Sequence, residues 1–357
     1  MATTSTSSIR ALQMPDWREG NPYQQLLADG LSEHGVEAVF PGGRRRGLPI
    51  ARMLHDAEAD VLHLHWPEAF FNRVGSFGDR ARLLRFPFDV HLATANAPLV
   101  MTAHNLVPHD RQDSRQARTV YRNLYRGAAG VISHTKSGAA TLERDYGVSA
   151  DKIDVIPHGD LLSALPPLPS REVARQQLGL PDDQRVALVF GAIMGYKAIP
   201  ELITLWKQAA PDARLLIVGK AIEEQALAEI NVAAEGRSDI RVEEGFLSDE
   251  DLVAHLAASD VAVFNYRKIF ASGAATLARS AGLPILLTDR ADTVELGEPT
   301  PAVIRFANDA ESLADDLEQA FQQGWCHDEA AEWRKATSWH RVAGLTATTY
   351  QQALASR

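Results

Sequence analysis

Residues 265–287, NYRKIFASGAATLARSAGLPILL, combine a helix start, a helix stop and a buried strand in 23 positions. Ser272-Gly273-Ala274 predicts the start of a helix, and Gly282-Leu283-Pro284 predicts its end before the apolar run Ile285–Leu287. The first amides of a helix have no intrahelical acceptor, and the helix dipole adds partial positive charge there. Small residues at this position therefore indicate a place that can bind a phosphate group.

A second part of the same predicted site lies upstream. Phe190-Gly191 ends an apolar run, and Lys197 follows six residues after the glycine. The next apolar run ends at Gly219-Lys220. Glycine turns at the ends of parallel strands, with a lysine nearby, suit a diphosphate and so indicate a nucleotide-linked substrate. Tyr266 is an additional candidate, either stacked on a base, in contact with phosphate, or simply packed in the core.

Apolar runs alternate with amphipathic stretches along the whole chain, which predicts doubly wound parallel sheets. Three prolines in ALPPLPS, residues 164–170, predict a semi-rigid linker between two such units. The predicted domains are residues 1–163, a linker over 164–171, a second domain over 172–325, and a closing segment over 326–357. We expect strands at 36–40, 61–65, 99–103, 130–133, 154–157, 185–190, 214–218, 240–243, 261–264 and 285–288, and one closing helix over 328–355.

Composition limits the function classes. The chain has 357 residues and a net charge of −10, which disfavours general binding of nucleic acid. A single cysteine, Cys326, excludes an internal disulfide framework and a cysteine metal cluster. The N-terminus lacks the pattern of a secretory signal, and no apolar run reaches the roughly 20 residues of a membrane span. We expect a cytoplasmic protein without a tightly bound metal or other cofactor.

Several segments of the chain, together with the order in which they occur, resemble the GT-B glycosyltransferases, and especially their large bacterial retaining group. The matching segments are VFGAIMGYKAIPELITLW, ARLLIVGKA, SGAATLARSAGLPIL, VMTAHN, VIPHG and SWHRVAGLTATTY. The resemblance covers most of the chain and implies two Rossmann-like domains that face a central cleft. It departs from the usual pattern at Ala192, where many relatives have arginine, and at Leu277, where many have glutamate. The pattern is closer to a divergent branch with exopolysaccharide mannosyltransferases.

The resemblance implies transfer of a sugar from a nucleoside-diphosphate sugar, GDP-mannose or a UDP-sugar, to a saccharide or lipid-linked acceptor in polysaccharide or glycolipid synthesis. The stereochemical outcome stays open, as does the identity of a base, for which Asp16, Glu68, Asp110 and His104 are candidates. We expect the following residues at the site: catalytic His104, Lys197 and Asp110; donor-binding Gly191, Lys197, Gly219, Lys220, Tyr266, Ser272, Gly273 and Ala274; and acceptor-binding Asn21, His65, Glu68, Asn105 and His158.

Three alternatives remain at this point. His63, His65 and Glu68 could hold a metal ion by residue type, although packing or acceptor contacts fit them better. The chain could be a non-catalytic sugar or nucleotide sensor on a degenerate transferase scaffold. It could also be a sugar-nucleotide epimerase, although the site region 265–287 has no carboxylate for that chemistry.

The first domain also carries a candidate membrane surface. Residues 73–88 mix arginines with phenylalanines and leucines, and Arg115, Arg118, Arg122 and Arg126 recur at helical spacing. Basic and aromatic side chains together suit anionic lipid headgroups, whereas a solvated charged face is the plainer interpretation. The pattern predicts peripheral attachment at the inner face of the plasma membrane.

Overall fold

The computed structural model describes residues 8–40, 42, 47–71, 79–106, 115–209, 212–267, 270–289 and 300–357. The chain divides into two compact units. The first contains residues up to Gly159 and takes up the chain again from Thr337 to Arg357, and the second runs from Asp160 to Ala336. The predicted linker, residues 164–171, lies inside the second unit.

The first unit is built on a six-stranded parallel sheet in the order β2-β1-β3-β4-β5-β6. The three strands β3, β4 and β5 are fully buried, because helices cover both faces of such a sheet. Their bounds are β1 Ile9–Met14, β2 Val36–Val39, β3 Val61–Leu64, β4 Leu99–Ala103, β5 Gly130–Ser133 and β6 Ile153–Val155. The helices of this part of the chain are α1 Tyr23–Ser32, α2 Pro49–Ala57, α3 Asp79–Thr94, α4 Arg115–Gly127 and α5 Lys136–Thr141.

The second unit repeats this architecture with the sheet order β12-β11-β10-β7-β8-β9, again fully parallel. Its strands are β7 Val186–Phe190, β8 Arg214–Gly219, β9 Ile240–Glu244, β10 Val261–Phe264, β11 Ile285–Thr288 and β12 Val303–Phe306. Its helices are α6 Arg171–Leu178, α7 Ile199–Ala209, α8 Glu224–Ala234, α9 Asp249–Ala258, α10 Gly273–Ala281, α11 Ala310–Gln323 and α12 His327–Ala336. The predicted α/β class with two Rossmann-like parallel sheets is confirmed.

The last helix, α13 Trp339–Ala355, belongs to the first unit and packs on α1. The two helices approach closely at Gly30, where an added Cβ would lie 2.8 Å from the Cβ of Ala343. Val342, Ala347 and Tyr350 of α13 are buried in the core of this unit. The closing segment therefore completes the first core.

Several elements differ from those predicted. The expected helix over 328–355 is wrong, because the chain breaks it at Thr337 and Ser338 and begins α13 with Ser338 as N-cap. The sequence analysis also missed β1, α2, α3, α6 and β12. Arg10 and Gln13 interrupt the apolar residues of β1, and β12 has only four residues, so each needs a neighbouring strand from elsewhere in the chain to be recognisable.

Sheet order fixes where ligands are expected. In each sheet the order in which successive strands are added reverses between two neighbouring strands, β1 and β3 in the first sheet and β7 and β10 in the second. The connections that follow these two strands lie on opposite faces of the sheet, which opens a crevice beyond the carboxyl ends of the strands. We therefore expect ligands to bind at the loops after these four strands.

Candidate functional site

In the second unit, the turn after β7 brings Gly191 and Lys197 together. Gly191 has a φ of 87°, a conformation that glycine adopts without strain. A Cβ at Gly191 would lie 3.3 Å from Lys197 Nζ and 3.8 Å from the Cβ of Ala274, at the start of α10. The glycine turn, the lysine and the helix start predicted from distant parts of the sequence are thus immediate neighbours.

Gly219, at the end of β8, completes this contact. Its φ is 145°, and an added Cβ would lie 2.3 Å from the carbonyl oxygen of Gly191. The Gly191 amide donates to the Val218 carbonyl at 3.1 Å, and the Ile193 amide donates to the Lys220 carbonyl at 2.8 Å. Glycine is required here because two backbone turns are in direct contact. The Lys220 side chain is exposed on the same edge of the sheet.

Helix α10 begins with Ser272 as its N-cap. The Ser272 Oγ accepts a hydrogen bond from the Ala275 amide at 3.1 Å and lies 2.9 Å from the Tyr266 hydroxyl. These two hydrogen bonds fix the Ser272 hydroxyl, which caps the helix. The amides of Gly273 and Ala274 are the first of the helix, and they lie at its positive end beside Gly191.

Of the three roles that the sequence left open for Tyr266, the structure favours packing in the core. Its ring is 1% exposed and lies in the core with Phe264 and Tyr196, at ring-centroid distances of 5.5 and 5.7 Å. A ring enclosed in this way has no open face for a base, so Tyr266 positions Ser272 through its hydroxyl. Arg267, which could have replaced the missing arginine at position 192, donates instead to Glu201 and to the Gly195 carbonyl.

Lys197 is the central charge of this site. It is 5% exposed, and its Nζ donates to the Phe190 carbonyl at 2.9 Å. Burial lowers the pKa of the Lys197 ammonium to about 7, because a charged amine loses hydration that one carbonyl does not replace. An anion beside this amine would restore its charge, so the lysine is poised to respond to a phosphate ligand.

In the first unit, the carboxyl ends of the strands place five histidines around Tyr23. The rings of His65, His104, His134 and His158 have centroids 4.9 to 5.9 Å from the Tyr23 ring, and His63 packs on His65 at 4.0 Å. Burial lowers the pKa of all five imidazoles, to about 3 for His63 and His134. The cluster is therefore neutral near pH 7.

Three of these rings form a hydrogen-bonded chain between Gln13 and a backbone carbonyl. His65 Nε2 lies 2.8 Å from Gln13 Oε1, and His65 Nδ1 lies 3.3 Å from His104 Nε2. His104 Nδ1 then lies 3.4 Å from His134 Nε2, and His134 Nδ1 lies 3.0 Å from the carbonyl oxygen of Ile156. Both ring nitrogens of His104 are therefore occupied within the cluster.

The supply of protons limits this chain. Its four contacts need four hydrogens, and three neutral imidazoles supply one N–H each. Gln13 presents its oxygen to His65, because its amide nitrogen donates to the Tyr350 hydroxyl at 3.0 Å. One of the four contacts therefore lacks a hydrogen, and the two longest are those between imidazoles, at 3.3 and 3.4 Å. A contact of His104 with a transferred sugar would require one of these long hydrogen bonds to open.

The other residues expected to bind an acceptor are distributed around this cluster. The Asn21 Oδ1 accepts from the Tyr23 amide at 3.0 Å, and the carbonyl oxygen of Asn105 accepts from the Tyr125 hydroxyl at 2.7 Å. Glu68 accepts from the Tyr121 hydroxyl, and His158 Nδ1 bonds to the Gly159 carbonyl. Asp110 lies outside the described residues.

The arrangement does not favour the metal alternative for His63, His65 and Glu68. His63 is held between the Tyr350 hydroxyl at 2.6 Å and the Thr102 hydroxyl at 2.8 Å, and His65 between Gln13 and His104. Within the described ranges, no group of three or more histidine, cysteine, aspartate or glutamate residues could hold a metal ion.

Sequence reasoning missed several members of the cluster. His134 follows β5 directly and was detectable by the rule that identified His65 and His104. Gln13 lies within the overlooked strand β1, Tyr23 is the first residue of α1, and Tyr350 comes from the other end of the chain. No local pattern could have indicated Tyr350, because its partner His63 is 287 residues away.

Comparisons with known proteins agree with this architecture. Residues 20–159 match the family described as "Glycosyl transferase 4-like domain", and residues 170–338 match "Glycosyl transferases group 1". The chain is 25% identical to the GDP-mannose:glycolipid 4-beta-D-mannosyltransferase of Xanthomonas campestris pv. campestris over 342 residues, which cover 94% of this chain and 89% of that protein.

Two solved structures have a similar fold. Sucrose-phosphate synthase from Thermosynechococcus elongatus superposes with a TM-score of 0.75 at 16% identity, covering 98% of this chain and 100% of that one. HepE from Anabaena, in complex with UDP and glucose, gives a TM-score of 0.74 at 18% identity, covering 96% and 99%. At these identities the likeness concerns the fold alone.

The two matched domains and the two parallel sheets define a GT-B fold transferase. The chain belongs to the GT-B glycosyltransferases, with a 4-like first domain and a group 1 second domain. It is an enzyme that transfers a sugar from a nucleotide sugar, and the sensor and epimerase alternatives are not favoured.

Proposed function

We propose that the donor is a nucleoside-diphosphate sugar, GDP-mannose or a UDP-sugar, whose diphosphate binds at the second-unit turn of Gly191 and Lys197. The observation that supports this proposal is the shared neighbourhood of Gly191, Lys197 Nζ and the start of α10. The helix amides and the ammonium together supply positive charge, so the site needs no tightly bound metal or cofactor.

The same groups serve the chemical step. When the bond between the sugar and the diphosphate breaks, negative charge grows on the leaving phosphate oxygen. Lys197 and the amides of Gly273 and Ala274 are fixed in advance of the reaction, so they stabilise this charge without reorganisation. Lys220, exposed on the neighbouring turn, adds positive charge at the rim.

A saccharide or lipid-linked saccharide is the proposed acceptor, bound at the histidine-rich edge of the first unit, in polysaccharide or glycolipid synthesis. The Xanthomonas relative is named for GDP-mannose and a glycolipid, which supports this substrate class over a free protein or nucleic acid acceptor. His158 and Asn21 are half-buried at this edge, and hydroxyl groups of a sugar suit such imidazole and amide partners.

A screen of ligands tests the donor proposal. We expect GDP or UDP, and the corresponding sugar nucleotide, to raise the melting temperature in a concentration-dependent way, because a ligand that binds only the folded state stabilises it. Release of the same diphosphate from its sugar nucleotide should then be measurable in the absence of acceptor. AMP and inorganic phosphate are controls. No stabilisation by any nucleoside diphosphate would contradict the proposal.

We also propose that helices α3 and α4 contact an anionic membrane surface. Leu84 and Phe88, one turn apart on α3, are 80% and 56% exposed. Helix α4 exposes Arg115, Arg118, Arg122 and Arg126 and buries its apolar face. Phe71 packs on Phe86 of α3 at 4.9 Å and on Tyr121 of α4 at 6.2 Å, which makes the two helices neighbours.

Exposed apolar side chains next to a basic stripe are typical of surfaces that bind lipid headgroups. Of the stretch 73–88 that suggested this surface, residues 73–78 lie outside the described part of the chain. None of the described helices is both long and apolar enough to span a bilayer.

Vesicle co-sedimentation tests the membrane contact. We expect binding to vesicles containing phosphatidylglycerol, weak binding to pure phosphatidylcholine, and release at high salt. Arg118→Glu with Arg122→Glu should reduce binding at least ten-fold, since each basic residue near an anionic surface contributes about 1 kcal/mol. Val232→Glu, on an exposed position of α8, is the matched control. Equal binding by the double variant and the control would exclude this surface.

A further inference from the structure

The loop after β1 carries a tryptophan, Trp17, and lies where the strand order of the first sheet reverses. Trp17 follows the Met14-Pro15 turn, and its amide donates to Gln24 Oε1 at 2.8 Å. The Gln24 Nε2 donates in turn to the Pro15 carbonyl at 2.8 Å, and Gln24 itself is 1% exposed. The amides of Gly20 and Asn21 both bond to the Trp17 carbonyl. A buried side chain thus fixes the backbone that carries this ring.

The ring itself is held by stacking. Trp17 stacks on Trp66, which follows β3, with centroids 5.0 Å apart and planes 20° apart. Trp66 stacks in turn on His104 at 4.3 Å and 16°. One face of Trp17 is therefore covered, yet the residue is 40% exposed, whereas Trp66 is 8% exposed. The exposure must come from the opposite face and the ring edges.

A rigid indole with one open face matches a particular ligand chemistry. The axial C–H groups on one side of a pyranose ring form a flat apolar patch, and its hydroxyls point outward around the rim. An aromatic ring fixed by its surroundings can cover that patch with little loss of entropy. Asp16 and Arg18, an ion pair with side chains 33% and 37% exposed, flank Trp17 and supply an acceptor and donors for hydroxyls.

We propose that Trp17 is the platform on which a pyranose ring of the acceptor stacks. The proposal rests on the proposed transferase function and concerns its acceptor site, since the residues proposed to hold the donor diphosphate belong to the second unit. The stack Trp17–Trp66–His104 places this platform two rings from the histidine cluster. Neither the family match nor the sequence motifs assign a role to Trp17.

Indole N–H signals in a 1H–15N spectrum of the full chain test this platform. The probes are methyl α-D-mannopyranoside, methyl β-D-glucopyranoside and cellobiose, titrated separately. The Trp17 signal is the one that is lost in Trp17→Phe. We expect at least one probe to shift this signal in a saturable manner. Trp17→Ala should bind that probe about ten-fold more weakly or not at all, as expected for an aromatic anchor.

Trp17→Phe keeps a flat ring and should retain part of the affinity. This variant still tests the proposal if the alanine variant does not fold. Phe246→Ala, at an 87% exposed aromatic of the second unit, is the matched control and should bind the probe normally. Failure of all three sugars to move the Trp17 signal, or equal binding by Trp17→Ala, would overturn the platform. Stabilisation by nucleoside diphosphates should be unchanged in every variant, so a failed platform and a failed donor site give different results.

Discussion

Lys197→Met should lower kcat/KM for the sugar nucleotide by about 10²–10³-fold, the usual effect of removing one charge-stabilising donor. Methionine has nearly the length of lysine and no charge, so it fills the space beneath Gly191 without a positive group. The loss should appear in both KM and kcat, because the lysine attracts the diphosphate of the bound donor and faces more negative charge when the glycosidic bond is broken. Lys207→Met, at an exposed position of α7, is the control and should keep full activity.

The same variant should be more stable than the wild type at neutral pH. Lys197 has an ordinary pKa of 10.5 when the chain is unfolded and about 7 when it is folded. The unfolded state therefore holds more protons between these values, and stability rises with pH across that window. The penalty for keeping this amine buried is complete below pH 7 and vanishes near pH 10.5.

We expect Lys197→Met to raise the free energy of unfolding at pH 7 by about 1–3 kcal/mol, after allowing for the lost hydrogen bond to Phe190. The gain should shrink as the pH rises toward 10. Denaturant unfolding at pH 6.5 and 9.5 measures the gain in the free energy of unfolding and its decrease with pH. A variant that loses activity and also loses stability would show that the lysine is a structural residue.

Donor affinity should depend on pH for the same reason. A sugar nucleotide has no ionisation of its own near neutrality, so a pH dependence reports the protein. Because Lys197 must be protonated to attract the diphosphate, wild-type affinity should fall by up to about ten-fold per pH unit above 7. Calorimetry in buffers of different ionisation enthalpy should detect the uptake of a proton on binding at pH 8. Lys197→Met should show a flat profile.

The arrangement at the proposed donor site was largely predictable from sequence because its parts are local. A glycine that ends an apolar run, a small residue that starts a helix and a lysine near such a turn can each be recognised within ten residues. Their assembly follows from the rule that ligands lie beyond the carboxyl ends of parallel strands. Gly191, Lys197, Gly219 and Ala274 are brought together as that rule requires.

The histidine cluster shows what sequence could not provide. His65 and His104 were predicted from their positions after strands, yet their nearest partners were not. Gln13, which bonds to His65, comes from a strand that the sequence analysis missed, and Tyr350, which bonds to Gln13 and His63, comes from the closing helix. Tyr266 illustrates the same difficulty, because whether an aromatic side chain faces a ligand or the core depends on residues far away in sequence.

Arg175→Met should reduce the stability of the second unit by about 3–5 kcal/mol, the usual cost of leaving a buried charge without its partner. Arg175 is fully buried and forms its ion pair with Asp260 through Nη2 at 3.0 Å. Its other nitrogens donate to the carbonyl oxygens of Ala258, Pro181, Asp182 and Gln184, at 2.6 to 3.1 Å. Methionine fills the volume of the side chain, but it removes the guanidinium donors of four carbonyls and of one carboxylate.

Arg171, one turn earlier on α6, is a natural control. It also pairs with Asp260, but its side chain is 39% exposed. Water screens such a pair and can replace it, so Arg171→Ala should cost no more than about 1 kcal/mol. The two arginines share one carboxylate but differ in burial and in the four backbone hydrogen bonds of Arg175, so the comparison separates the buried network from the exposed ion pair.

Hydrogen exchange would localise the loss. The Asp260 Oδ2 that receives Arg175 also accepts the Val186 amide at 2.8 Å, and Val186 is the first residue of β7, which ends at the turn of Gly191. In Arg175→Met, the Val186 amide should exchange faster than in Arg171→Ala, and nucleotide binding should weaken only as far as the unit unfolds. Equal effects of the two substitutions would mean that solvent reaches Arg175 in solution, and that β7 is held in place by its apolar contacts alone.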